Sequence, residues 1–384
     1  MPWFSKDRAN SAAPIQQVLG LSSRLIGGGS GPIGLSIGDD ILRMAQLASN
    51  GKGTSLIASA VETRPDDVKP GTATWQRWVV EAIQRLTTSS KFRGKDVVAA
   101  LPASELFIDL VKMPSACRDK SQNTAKGRKA DDLQLSQAVF SKIKQKLPFE
   151  PDDAMIKYFP TEQDNILVIA AERKIIDRYL AVYENAGLAI KSIGVWPNAL
   201  TSTYGTFFGR RKNDLDTIVM LLDIESNCTN VVICRHKNVL FARSIPIGTE
   251  QLKAHASSLA ASPDKSQAPS APPDVPTSPA GNTLVMNLIF ELTACKRRFA
   301  SMYANAPIER LVFLSGQAAD KDLCAAIAKQ LEMPAQIGDC MAAVETPEYH
   351  QCSRIDRRIS ATDDSELPQQ SQVNWATPFG LSLS

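Results

Sequence analysis

A strand–turn–strand–strand pattern opens the structured part of the chain and returns midway along it, and this duplication limits the folds open to the sequence. Ile33–Ile37 is a short apolar run, Gly38-Asp39-Asp40 a turn, and Ile41–Leu47 a second run with Ile41, Arg43, Ala45 and Leu47 on one face. Asn50-Gly51-Lys52-Gly53 then leads into a third run, Ser55–Glu62. Three strand-length runs with tight turns read as an antiparallel meander. Thr217–Asp223, Thr229–Arg235 and Val239–Ile245 repeat it, with Ile224–Cys228 as the first turn. A chain of 384 residues that builds the same meander twice and continues each time into helices and further strands suits two α/β domains better than one.

The rest of the chain fits that plan. Trp75, Trp78, Val79, Ala82 and Leu86 form one stripe of a helix over Trp75–Leu86, and Asp96–Leu101 follows as a buried strand. A helix near Asp131–Lys146 stops at Pro148 and Pro151, two strands occupy Ala154–Phe159 and Asn165–Ala170, and a helix runs over Arg173–Ala186 with Gly187 at its C′ position. The second half continues with a long helix over Thr283–Tyr303, a strand at Arg310–Ser315, a turn at Gly316-Gln317 and a helix from Asp320 to Leu331. Residues 1–31 read as a flexible tail. Residues 256–282 contain six prolines with many Ser and Ala and almost no large apolar groups, so they read as a disordered insertion. His350–Gln372 reads as loop.

Composition removes several function classes. With 43 basic and 40 acidic side chains the net charge is +3, too balanced to argue for nucleic acid or an anionic membrane. No run of 18 apolar residues occurs and Met1–Asn10 lacks an apolar h-region, so neither a membrane span nor a cleaved secretory signal is expected. Seven scattered cysteines without a C-x-x-C pair read as reduced thiols in a cytoplasm, and three distant histidines give no support for a metal site. Asn50–Thr54 lacks the earlier glycine of a P-loop and is a hairpin turn; Lys296-Arg297-Arg298 and Arg354–Arg358 read as solvated basic faces, and Asp152-Asp153 as a turn or cap.

The turns carry the chemistry. Two facing hairpin turns present several backbone N–H groups together and can cradle phosphates. The candidates are Ser36–Asp40 and Asp223–Thr229, with Leu314-Ser315-Gly316-Gln317 as a third turn placed to meet a base or ribose.

In this order the three turns resemble the first phosphate, second phosphate and adenosine turns of the actin-like (ribonuclease H-like) ATPase fold. Within that fold the chain is most similar to the PilM family of type IV pilus assembly proteins, related to the cell-division protein FtsA. The likeness is carried by Ile33–Arg43, Leu101–Pro114, Leu147–Tyr158, Ala186–Leu200, Leu222–Thr229, Phe241–Leu252, Leu314–Gly316 and Phe379–Leu383. The resemblance implies two lobes around a nucleotide cleft, 32–205 with an inserted subdomain around 102–190 and 206–384, with Gly38, Asp39, Asp223, Ser226, Thr229, Gly248, Glu291, Ser315 and Gly316 nearest the nucleotide. Asp223 would be the catalytic carboxylate of an active enzyme, and Asp223 with Glu225 the holders of Mg²⁺. It also implies a PilN-like inner-membrane partner bound through its N-terminal cytoplasmic peptide, and a cytoplasmic protein that reaches the membrane through that partner. Homo-oligomerisation stays open.

The departures from the family pattern matter as much. Gly34-Leu35-Ser36-Ile37-Gly38 stands where the family reads G-x-D-I-G, so Ser36 replaces an Asp, and Arg43 takes a Lys position. Glu225 replaces the glycine two residues after Asp223, Glu291-Leu292-Thr293-Ala294-Cys295 lacks the family's basic side chain, and Gln317 replaces a further glycine. A carboxylate beside a triphosphate adds a repulsion of order 1 kcal/mol in water and several times more when desolvated. The expectation is therefore a scaffold with a degenerate nucleotide site, where ATP and Mg²⁺ bind weakly or not at all. The competing reading is an active ATPase or small-molecule kinase of the same fold. An FtsA-like membrane tether is disfavoured, because Thr377–Ser384 is too short and too neutral for an amphipathic anchor.

Overall fold

The computed structural model describes residues 29–49, 53–113, 125–252, 281–315, 320–345 and 373–384. Residues 256–280 of the insertion expected at 256–282, the tail through residue 28, Gly316-Gln317 and the polar run 350–372 lie outside these residues.

Both meanders are present. β1 (Ser30–Ile37), β2 (Ile41–Ser49) and β3 (Thr54–Thr63) pair antiparallel, and β4 (Asp96–Ala100) and β8 (Ala189–Gly194) add parallel strands in the order β3-β2-β1-β4-β8. β9 (Ile218–Ile224), β10 (Thr229–Arg235) and β11 (Asn238–Ile245) repeat the meander, and β12 (Arg310–Phe313) with β13 (Ala335–Ile337) completes the order β11-β10-β9-β12-β13. The two sheets are topological copies. Between β4 and β8 the chain makes a separate three-stranded sheet, β5-β7-β6, from β5 (Phe107–Lys112), β6 (Ala154–Pro160) and β7 (Asn165–Glu172). β5 and β8 have no counterpart in the sequence reading.

The helical stripes bury as their spacing requires. On α1 (Ala73–Ser89), Trp75, Trp78, Val79, Ala82, Ile83 and Leu86 are buried, and α3 (Arg173–Asn185) buries Ile175, Ile176, Tyr179, Val182 and Tyr183. The two meet edge to face at Trp75 and Tyr179, ring centroids 5.5 Å apart. Gly187 has φ +79°, as a C′ glycine should. Pro151–Asp153 is a 3₁₀ turn, α2 (Ala125–Ile143) starts and ends earlier than expected, and α4 (Trp196–Thr203) follows β8. All five cysteines among the described residues are unbonded.

The structure corrects three boundaries. The long helix α5 spans Gly281–Met302, so Gly281 and Asn282 belong to it rather than to the insertion; a first turn, whose N–H groups lack intrahelical partners, accepts small polar residues. Ser30 and Gly31 belong to β1 rather than to the tail. Gly31 is there for close packing, since a Cβ on it would lie 2.6 Å from the Ser382 carbonyl oxygen. The helix over Ala376–Ser382 packs on β1, β2, β4 and the helix Trp196–Thr203, so this distant segment completes the first lobe rather than the second. Trp375, Phe379 and Leu381 are buried there.

That helix approaches so closely that its contacts are backbone to backbone. A Cβ on Gly34 would lie 2.0 Å from the Pro378 carbonyl oxygen, and one on Gly380 1.9 Å from that of Ala199. Denaturant titration of Gly34→Ala and Gly380→Ala is expected to show losses of about 2–3 kcal/mol each. Gly187→Ala, whose added methyl meets nothing within 4 Å, should lose only about 1 kcal/mol through its positive φ.

Candidate functional site

The two meander turns converge between the lobes. In the first, Gly38 N donates to the Ile41 carbonyl at 2.8 Å, and Arg64 braces the turn through the Asp39 and Asp40 carbonyls. In the second, Glu225 N donates to the Cys228 carbonyl at 2.8 Å. A loop lies against this second turn, with Thr249 N on the Glu225 carbonyl at 2.9 Å and Glu250 N on that of Ser226 at 2.8 Å. Gly248 permits the approach, because a Cβ there would come within 2.4 Å of the Ser226 carbonyl.

The turns touch through side chains. Arg43 on β2, 2% exposed, donates from Nη2 to Glu225 Oε2 at 2.7 Å and from Nη1 to the Asn374 carbonyl at 2.8 Å. Ser226 Oγ donates to Asp40 Oδ1 at 2.8 Å. Asp223, fully buried, accepts from Asn230 Nδ2 at 3.1 Å and from Asn374 Nδ2. Asn374 thus joins Arg43 of the first lobe to Asp223 of the second.

Charge is unevenly shared in this cluster. Burial disfavours the Arg43 cation, but Glu225, Asp223 and Asp40 outweigh that and hold its pKa above the ordinary value. Glu225 must share one guanidinium with other carboxylates. Burial raises it to about 7; Arg43 opposes the rise, and Asp223 and Asp40 add to it. Burial raises Asp223 as well, against Arg43 and the two amide hydrogen bonds, and burial with Asp40 raises Asp39 against Arg64. The Arg43 guanidinium is thus surrounded by three carboxylates, Glu225, Asp223 and Asp40.

Beside the contact lies a cavity of about 450 Å³. Its walls are largely apolar, with Leu101, Leu106, Phe107, Ile108, Pro148 and Pro246 facing the polar end formed by the two turns. Gly38, Asp39, Glu225 and Ser226 all line it. The other residues singled out in the sequence have different positions. Thr229 is fully buried and donates to the Ile247 carbonyl at 2.7 Å, which makes it a turn brace. Glu291 on α5 pairs with Arg243 at 2.7 Å and is absent from the cavity wall, although Arg243 lines it. Ser315 is buried, and its hydroxyl has no hydrogen-bond partner among the described residues. Leu314 N donates to the Leu222 carbonyl at 2.9 Å, so the third turn begins next to Asp223; Gly316 lies outside the described residues. No group of three or more His, Cys, Asp or Glu among the described residues is arranged to hold a metal ion. Asp223 and Glu225 instead spend oxygens on Asn230, Asn374 and Arg43.

Sequence reasoning missed Asn230 and Asn374. No local pattern marks either of them; only the fold brings residue 374 against 43 and 223. It also treated Glu225 as an isolated charge, whereas Arg43 answers it directly.

A pH prediction follows from Glu225. Because its folded pKa is raised, the neutral form stabilises the protein fully below the ordinary value of 4.5, and that stability is lost as pH rises through about 7. Melting temperatures of Glu225→Gln and wild type, compared between pH 5 and pH 8, should therefore diverge with the variant gaining as pH rises. The reverse slope would mean that the ion pair outweighs burial.

Comparison with known proteins places this geometry. The family model of type IV pilus assembly protein PilM matches residues 34–362. No curated protein matches the sequence. Among solved structures, a chain of the PilM–PilN type IV pilus biogenesis complex superposes with a TM-score of 0.66 at 18% identity, covering 92% of this chain and 98% of that one. The ethanolamine utilization protein EutJ from Carboxydothermus hydrogenoformans gives a TM-score of 0.45 at 11% identity, over 94% of this chain and 91% of its own. A Bacteroides thetaiotaomicron protein with an actin-like ATPase fold gives 0.43 at 6%, over 82% and 92%. The fold is the actin-like one expected from the order of the turns.

Proposed function

Because the chain belongs to the PilM family of type IV pilus assembly proteins, we propose that it is a non-enzymatic actin-like scaffold of a pilus-type assembly machine with a degenerate nucleotide cleft. Its partner in this reading is a PilN-like inner-membrane protein, which it holds by the N-terminal cytoplasmic peptide. The solved complex of similar fold pairs a PilM with a PilN, which supports the partner class. No helix among the described residues is long and apolar enough to cross a membrane, and the proposed route to the membrane is through this partner.

One observation carries the degenerate-site reading: Arg43 and Glu225 meet at 2.7 Å across the cleft, where the resemblance puts the phosphates. An anion entering there must take Arg43 from Glu225 and leave a buried carboxylate behind. Asp223, the carboxylate an ATPase or kinase would use, is fully buried and fixed by two amides. The apolar cavity suits an extended peptide with apolar side chains better than a nucleotide, because its walls offer more contact area than charge.

Two measurements test this. Calorimetric titration with Mg²⁺–ATP should show weak or no saturable binding to wild type. Glu225→Gly should bind more tightly by freeing Arg43, while losing about 3 kcal/mol of stability because that cation is left unpaired. Steady phosphate release by wild type that vanishes in Asp223→Ala would establish the enzyme instead. In the second measurement, the N-terminal cytoplasmic peptide of a PilN-like protein should bind the full chain. Phe107→Ala should weaken it about tenfold, a loss of about 1.4 kcal/mol. No binding to wild type sinks the partner assignment.

A further inference from the structure

Two edge strands face each other beside α5. β5 ends the three-stranded sheet and β11 ends the second five-stranded sheet, and a cavity of about 380 Å³ lies between them. Phe107, Ile108, Leu110, Phe241 and Ala242 form its apolar wall, and Asp109, Lys146, Arg243 and Arg298 its charged wall. It shares only Phe107, Ile108 and Arg243 with the apolar cavity beside the meander turns, and what it takes does not depend on the partner assigned to that cavity.

An edge strand ordinarily offers unpaired N–H and C=O groups to another chain. On β5 charged side chains already occupy them. Leu110 N donates to Asp109 Oδ1 at 2.9 Å, the Leu110 carbonyl accepts from Arg298 Nη2 at 3.3 Å, and the Lys112 carbonyl accepts from Lys142 Nζ. The edge from 110 to 112 is therefore closed to strand addition, and an occupant is recognised here by side-chain charge and shape.

The charge is not balanced. Asp109 Oδ2 meets Lys146 Nζ at 2.7 Å and its Oδ1 meets Arg298 Nη2 at 3.2 Å, so one carboxylate serves two cations. Arg243 pairs with Glu291 at 2.7 Å, and Lys142 has no carboxylate partner among the described residues. The cations are also the more accessible groups: the Lys146 and Arg298 side chains are each 51% exposed, that of Asp109 16%. They are strung along the strand rather than gathered at a point. Lys146 reaches residue 109 and Lys142 reaches residue 112, about 10 Å apart at the rise of a strand. A single phosphate can meet only one of them. An extended chain with carboxylates on alternate residues, about 7 Å apart, meets both and lays its intervening apolar side chains toward Phe107 and Ile108.

We propose that this groove between β5 and β11 is a second docking site, for an extended acidic segment of a protein partner in which Asp or Glu alternates with apolar residues. Fluorescence anisotropy on the full chain with a labelled peptide of alternating Glu and Leu tests it. Wild type should bind saturably, with affinity falling several-fold as salt rises from about 0.05 to 0.5 M. Lys142→Glu/Lys146→Glu should weaken binding at least about tenfold, whereas Arg211→Glu/Lys212→Glu, on the wall of a different cavity, should leave it unchanged. The neutral pair Lys142→Gln/Lys146→Gln adds no carboxylate beside Asp109; it should still weaken binding several-fold, and it decides the case if the reversed pair does not fold. No binding by wild type, binding indifferent to both Lys pairs, or an equal loss in the Arg211/Lys212 variant overturns the site. An oligothymidylate of equal charge that binds more tightly than the peptide overturns the acidic-peptide assignment.

Discussion

One buried guanidinium organises the centre of this molecule. Arg43 leaves β2 of one sheet and meets Glu225 at the end of β9 of the other, with Asp223 and Asp40 close enough to hold its charge. Two five-stranded sheets of identical order could pack in several orientations on apolar burial alone, because that force has no direction. The Arg43 hydrogen bonds do have direction, and a displaced partner would leave a buried charge unanswered. The position of Asn374, the depth of Asp223 and the shape of the cavity follow from satisfying this one side chain.

Much of the architecture was legible because it is written in short-range pattern. The meanders announce themselves by alternating apolar runs and Gly/Asp turns, and the stripes on α1 and α3 bury residue for residue. What stayed hidden depends on partners distant in sequence. β8 is a modest run, Ala189–Gly194, that becomes a strand because β4 offers it a parallel edge. The helix over Ala376–Ser382 is weakly helical by composition, with Thr, Pro and Gly among its seven residues, and it forms where β1 and the helix Trp196–Thr203 enclose it. Gly31 reads in sequence as the end of a flexible tail and is a packing position in the fold.

The candidate site shows the same division. Turn positions could be read from spacing, and Gly38, Asp39, Glu225 and Ser226 do line one cavity. The meaning of Glu225 could not, because a substitution reads as a lesion until its partner is known. In the fold Arg43 and Glu225 are a matched pair, meeting at 2.7 Å. Glu291 was carried toward the nucleotide by resemblance, and its actual partner is Arg243. Thr229 and Gly248 turned out to shape the second turn from behind.

The helix over Ala376–Ser382 has a consequence for how the protein is made. β1 and β2 leave the ribosome more than three hundred residues before the segment that fills the space between them and the helix Trp196–Thr203. Until then the first sheet lacks Trp375 and Phe379 and carries an uncovered apolar face. The second lobe has its own sheet and can consolidate while the first waits. The first sheet therefore cannot complete its packing until the last residues are made, although its own strands are made first.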